Sequence, residues 1–176
     1  MKKVDYTLLI SVLVISIFGS IMIYSSSYIW AEYKYNDAFK FVKNQVLFLI
    51  VGIILMMMVS KINYKVYYDK ANILLISCII LLILVLIPGI GTVRNGSRSW
   101  FGIGSFGIQP SEFAKLGMII FTSKYLSNND KAMKNIKGIL PILILTLTIF
   151  GLIMLQPDFG TGTILVMSII GILFIA

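Results

Sequence analysis

Six apolar runs divide this 176-residue chain: Tyr6–Tyr24, Gln45–Ser60, Ala71–Pro88, Ser111–Leu126, Ile139–Leu155 and Thr161–Ala176. Such segments admit few structures. The hydrocarbon core of a bilayer offers backbone groups no water, so each run must close its own hydrogen bonds, and a helix does so within one segment. Ala71–Pro88 makes about 27 Å of helix, enough to cross that core. Ser111–Leu126 is shorter and more polar, and needs shelter from neighbouring helices. Composition agrees: 59% of residues are hydrophobic and 12% are charged, against about a quarter charged in soluble domains. The expected fold class is all-α, a polytopic transmembrane helix bundle of about six spans, forming a single transmembrane domain over residues 1–176. The last run stops at Ala176 without a cap, a basic flank or a polar tail, so the sequence reads as cut within its sixth helix.

The net charge of +8 would suggest nucleic acid in a soluble chain. Here the lysines flank apolar runs, where they set topology and meet anionic membrane lipids. No basic face with interleaved aromatics exists, which excludes a nucleic-acid partner. Cys78 is the one cysteine; it can form no intrachain disulfide and reads as packing. Histidine is missing altogether, so proton transfer must use a carboxylate, lysine or tyrosine, and histidine-ligated metal chemistry is excluded.

The first run follows Met1-Lys2-Lys3 but is longer than a secretory h-region and lacks a small-residue cleavage site, so it reads as an uncleaved first helix. With the N-terminus cytoplasmic, the inner segments hold Lys2, Lys3, Lys61, Lys65, Lys70, Lys124, Lys131, Lys134 and Lys137, and the outer ones Lys34, Lys40, Lys43, Arg94 and Arg98. Nine against five favours that orientation. The outer segments are then Ser25–Asn44, Gly89–Pro110 and Gln156–Gly162. The second has glycine at 89, 91, 96, 102, 104 and 107 with Trp100, Phe101 and Phe106 between, which suits an irregular loop with aromatics at the membrane interface.

The residues that could carry chemistry are charges that apolar surroundings do not explain. Pro110-Ser111-Glu112 opens the fourth helix, the proline suited to a first turn and the acid to the positive helix end. At about 100° per residue Glu112, Lys115, Thr122 and Ser123 share one arc. Charges near the membrane centre cost about 2.5–3.5 kcal/mol each, so this arc should face a cavity or a partner. The plainer alternative is a Glu112–Lys115 pair that only locks helices together. Asp158, in Leu155-Gln156-Pro157-Asp158-Phe159-Gly160-Thr161-Gly162, can be an N-cap of the sixth helix, a cavity-facing acid, or both. Arg94 and Arg98, beside Trp100, can hold a pyrophosphate in their planar forks or simply meet solvent and lipid headgroups. Such charges fit transport as well as catalysis, so a lipid flippase and a non-catalytic scaffold remain as alternatives to an enzyme.

Three motif segments occur in order: Gly96-Ser97-Arg98-Ser99-Trp100, then Gln109-Pro110-Ser111-Glu112-Phe113-Ala114-Lys115, then Gln156-Pro157-Asp158-Phe159-Gly160-Thr161. Together, over essentially the whole chain, they resemble the SEDS family of bacterial cell-wall polymerases of the rod-shape, division and sporulation group. The resemblance implies a fold of about ten transmembrane helices, of which this is the N-terminal part, in the bacterial plasma membrane. It implies polymerisation of lipid II into β-1,4 glycan beside a class B penicillin-binding protein that supplies transpeptidation. It implies supporting catalytic roles for Asp158, Lys115 and Glu112, and substrate binding by Arg94, Arg98, Trp100, Gln109 and Ser111. No cofactor is certain; a divalent cation is allowed. The family's usual base is an aspartate of a later outer loop, absent here, so these residues alone are expected to be inactive. Ser99 before Trp100 and the Gln-Pro-Asp order lean toward the rod-shape, elongation branch.

Overall fold

The computed structural model describes residues 5–94, 96–102, 107–129 and 135–176. Lys2, Lys3, Gly104, Phe106, Lys131 and Lys134 lie outside the described residues. Among the described residues six helices stand where the six apolar runs were, and the chain falls into two compact units, residues 1–62 and 63–176.

The first unit is a helical hairpin of α1 (Tyr6–Tyr35) and α2 (Lys40–Val59). The Asp5 carboxylate caps α1 by accepting from the Leu8 N–H at 3.0 Å. Residues 25–35, expected in an outer loop, continue α1 instead. Nothing between Ser25 and Tyr35 breaks a helix, and the Ser26 and Ser27 hydroxyls donate back to the Ile23 carbonyl. The helix ends at Asn36, whose φ of 52° is left-handed and whose N–H donates to the Glu32 carbonyl. At 30 residues, α1 is about 45 Å long and outreaches a hydrocarbon core of about 30 Å. Asp37 fastens the turn by accepting from the Phe39 N–H and from the Lys43 ammonium. No residue of α2 is buried within the protein, and large apolar side chains such as Ile15, Phe18, Ile50 and Ile54 are exposed around both helices. A helix apolar all round has lipid for its solvent.

The second unit comprises α3 (Tyr64–Leu86), a hairpin of β1 (Thr92–Arg94) and β2 (Ser97–Trp100), α4 (Pro110–Asn128), α5 (Ile136–Met154) and α6 (Phe159–Ile175). α4 is its centre and packs against α3, α5 and α6. The core joins Leu75, Cys78 and Leu82 of α3, Ala114 and Met118 of α4, Ile149 and Ile153 of α5, and Leu165 and Ile169 of α6. α3 and α4 approach closely at Gly117, where an added Cβ would lie 3.3 Å from the Cys78 sulfur. Cys78 is thus packing in fact.

Four helices, α1, α2, α3 and α5, are long and apolar enough to cross a membrane. α6 is shorter, at 17 residues, and α4 carries Glu112, Lys115 and Lys124. α3, α5 and α6 cover one stripe of it, while Glu112 in its first turn stays exposed. The family of segments is an all-α membrane bundle.

Part of the glycine-rich segment, strands β1 and β2, is more regular than expected. Instead of an irregular loop it forms an antiparallel hairpin, with Thr92 opposite Trp100, Val93 opposite Arg98 and Arg94 opposite Ser97. Gly96 supplies the positive φ, 82°, of the tight turn. The register skips at Ser99, a bulge residue whose side chain is buried. The segment enters the hairpin against the last turn of α3. An added Cβ on Gly91 would come within 1.9 Å of the Val85 carbonyl oxygen, so no side chain fits there.

Candidate active site

The end of the second unit where α3 and α5 finish and α4 and α6 begin collects all three motif segments. Chain direction alone brings α4 and α6 there by their N-termini. Two side-chain hydrogen bonds then bind the segments together. The Ser97 hydroxyl of β2 donates to the carbonyl of Gln156 at the α5–α6 elbow. The Gln109 amide, immediately before α4, donates from Nε2 to Asp158 Oδ2 at 2.5 Å.

Asp158 is the N-cap of α6. Its Oδ1 accepts from the Thr161 N–H at 3.1 Å, and its Oδ2 also accepts from the Thr161 hydroxyl at 2.8 Å. A carboxylate has about four acceptor positions; the cap and Gln109 occupy three of them, and the remaining one is on Oδ1. The capping role and a half-buried position facing the hairpin segment coexist in one residue. Gln109, expected to bind substrate, uses one N–H of its amide on Asp158.

Glu112 and Lys115 form an ion pair at 2.9 Å across one turn of α4. The Lys115 side chain retains 15% of its exposure and Glu112 52%, so the lysine is the sheltered partner. Among the described residues no hydrogen bond or ion pair joins Lys115 to Asp158; what the structure brings together is Asp158 with Gln109, and Lys115 with Glu112, at the same end of two packed helices. The arc expected to be shared by Glu112, Lys115, Thr122 and Ser123 does not face one environment. Thr122 is fully buried while Glu112 and Ser123 are exposed. The buried stripe of α4 runs through Ser111, Ala114, Met118 and Thr122, spacing of three and four residues, and the neighbouring helices cover it.

Arg94 of β1 lays its guanidinium over the Trp100 ring, 5.0 Å from the centroid. The same group packs so closely on Gly107 that a Cβ there would lie 2.8 Å from it. Arg98, on the other strand, runs its stem over Gly91. The two arginines therefore sit on opposite strands, and Trp100 belongs to Arg94. Ser111 is fully buried with a hydroxyl that has no hydrogen-bond partner, and so is the side-chain oxygen of Gln156.

Among the described residues no three carboxylates or thiols gather as metal ligands. Asp158 and Glu112 hold different partners.

Ser97, Gln156 and Thr161 carry roles that their residue types did not suggest. Each is polar within a motif segment bordering an apolar run, and that was the available signal. Which carbonyl or carboxylate each would meet depends on contacts up to 74 residues away.

Stage V sporulation protein E of Bacillus subtilis (strain 168) is 46% identical over 173 residues, which cover 98% of this chain and 47% of that protein. A protein of Saccharophagus degradans named probable peptidoglycan glycosyltransferase FtsW is 34% identical over 176 residues, 99% of this chain and 46% of that one. The chain thus spans about half the length of the curated relatives it matches. Among solved structures, the rod shape determining protein RodA of Thermus thermophilus superposes with a TM-score of 0.70 at 26% identity, covering 91% of this chain and 52% of that one. A chain from a peptidoglycan synthase complex, described for its coordination of polymerization and crosslinking, also gives a TM-score of 0.70 at 26% identity, covering 91% and 46%. Residues 6–176 match the family model for FtsW, RodA and SpoVE cell cycle proteins, and the chain belongs to that family, the SEDS membrane proteins.

Proposed function

We propose that the full protein polymerises lipid II, the undecaprenyl-pyrophosphate-linked disaccharide peptide, into β-1,4 glycan strands on the outer side of the bacterial plasma membrane. The observation that carries this reading is the meeting of the three motif segments at one end of the second unit, joined by Ser97 to Gln156 and Gln109 to Asp158. The names of the relatives, probable peptidoglycan glycosyltransferases, support it. A cytoplasmic N-terminus, favoured by the lysine distribution, turns that end outward.

The reaction joins the 4-hydroxyl of one glycan to the anomeric carbon of another, and the pyrophosphate lipid departs. An α-linked donor that yields a β-linked product inverts, as a single displacement does. Cations stabilise the negative charge that grows on the departing pyrophosphate. Lys115 supplies one from its sheltered position, and Arg94 or Arg98 another from the hairpin. Asp158 has one acceptor position left for a sugar hydroxyl or for a cationic partner. Its role is to position, with its other lone pairs engaged by Gln109 and Thr161. Glu112 holds Lys115. Trp100 completes the substrate contacts. The partner is a class B penicillin-binding protein, a reading supported by the similarity to a chain of a peptidoglycan synthase complex.

Purified full-length protein given labelled lipid II is expected to make glycan chains. Lys115→Met and Asp158→Asn variants are expected to lose the polymer while reaching the membrane at normal levels; normal polymerisation by either refutes its role. Movement of lipid II across the bilayer without polymer would support transport instead. For the branch, Ser99-Trp100 and the Gln-Pro-Asp order favour elongation and cell shape, whereas 46% identity to the sporulation protein favours sporulation. Complementation of a rod-shape-depleted and a sporulation-defective host by the full gene separates the two.

A further inference from the structure

The hairpin segment is fastened to the α5–α6 elbow at two points that lie on either side of its own neck. Phe101 and Ile108 exchange both backbone hydrogen bonds, at 2.8 and 2.7 Å, and so close the segment on itself. One arm, before the neck, carries Ser97, which donates to the Gln156 carbonyl. The other, after it, carries Gln109, which donates to Asp158. Ser97 and Gln109 are far apart in sequence, yet their acceptors are separated by Pro157 alone. The neck is what brings both arms to one place.

The elbow receiving them is itself held from beneath. Gln156 is fully buried, and its amide reaches the Leu82 carbonyl of α3 at 3.5 Å. On the hairpin side, Ser97 also bonds the hydroxyl of Ser99, the buried bulge residue, at 2.9 Å. A chain of polar contacts therefore runs from α3 through the elbow into β2, and next to it on that strand stand Arg98 and Trp100.

We propose that Ser97 and Gln109 are positioning residues that clip the hairpin segment to the α5–α6 elbow, and thereby fix Arg98 and Trp100 in register with Asp158. The proposal deepens the polymerase reading and rests on it for its kinetic part. Neither residue performs chemistry. Ser97 sets where β2 lies; Gln109 fixes which oxygen of Asp158 is left for a ligand. Loss of either leaves the charged groups present but out of register, which weakens capture of the pyrophosphate-linked sugar more than it slows the step that follows.

The test uses the full-length protein in lipid nanodiscs, with hydrogen exchange and lipid II kinetics measured on the same samples. In Ser97→Ala and in Gln109→Met, amides of residues 97–101 are expected to exchange about fivefold to tenfold faster, the effect of one lost hydrogen bond. Peptides from the middle of α5 should be unchanged, which shows that the bundle is folded. Ser97→Thr keeps the hydroxyl and should restore slow exchange. Both disrupting variants should raise KM for lipid II about tenfold with kcat within about twofold. Unchanged exchange in both variants overturns the clip. A fall in kcat at constant KM overturns the positioning role. Faster exchange in the variants of a protein whose wild type makes no glycan supports the clip and overturns the polymerase reading.

Discussion

Replacing Asp158 separates its two roles. In Asp158→Ala, α6 loses its N-cap, worth about 1 kcal/mol. The Gln109 amide and the Thr161 hydroxyl lose their acceptor as well. A net hydrogen bond is worth about 0.5–1.5 kcal/mol, and the lower half applies because the site is half-buried and water can replace part of the loss. The sum is about 2–3 kcal/mol. In Asp158→Asn the cap survives, since asparagine serves there as well as aspartate. Its carbonyl keeps the Thr161 N–H, and its amide nitrogen meets the Gln109 donor, a conflict that a half-turn of the Gln109 amide removes. The expected cost is below about 1 kcal/mol. At about 2 °C per kcal/mol for a chain of this size or larger, the alanine variant should melt about 4–6 °C below wild type and the asparagine variant within about 2 °C of it. The assay is thermal melting of full-length protein in one detergent, followed by helical circular dichroism, with glycan synthesis measured in parallel. Equal melting of the two variants, or a lower value for asparagine, would refute the capping account. Native melting with lost synthesis in Asp158→Asn would show that the charge serves the reaction and the oxygen serves the fold.

Two further outcomes follow from the packing and the turn. Gly117→Ala should be tolerated, because its Cβ would lie 3.3 Å from the flexible Cys78 sulfur and 3.8 Å from the Leu75 backbone. Gly117→Val must push α3 from α4 and should cost about 1–3 kcal/mol in the same melting assay; a wild-type melting point would contradict the close approach. In the α1–α2 turn, the hydrogen bond from Lys43 holds the Asp37 carboxyl below its usual value of 3.8. A depressed folded-state value favours the turn above the unfolded value and loses that contribution as pH falls through the folded one. Lys43→Met should therefore raise the Asp37 midpoint toward 3.8 in an NMR titration of carboxyl-labelled protein, and an unmoved midpoint would remove the pair from the account.

The local contacts of the site were visible in the sequence and the long-range ones were not. Glu112 and Lys115 paired as their spacing of one helical turn allows. Asp158 capped α6, as an aspartate after a helix-ending proline does. The pairing of Ser97 with Gln156, and of Gln109 with Asp158, had no local signal, because each joins residues about 50 or 60 positions apart. Thr122 shows the limit of helical periodicity. Its angle on the helix grouped it with Glu112, but burial depends on where α3, α5 and α6 sit, and they cover Thr122.

The amino-acid sequence by itself determined that this chain enters a membrane as helices. That requirement is satisfied segment by segment, since every run must meet its own backbone hydrogen bonds in hydrocarbon. Tertiary structure alone decided that residues 92–94 pair with residues 97–100, that α4 with its charges lies at the centre of the second unit, and that three distant motifs meet at one elbow. Those outcomes depend on pairing between segments, and a pair of groups acquires its energy only once the rest of the fold has brought both to the same place.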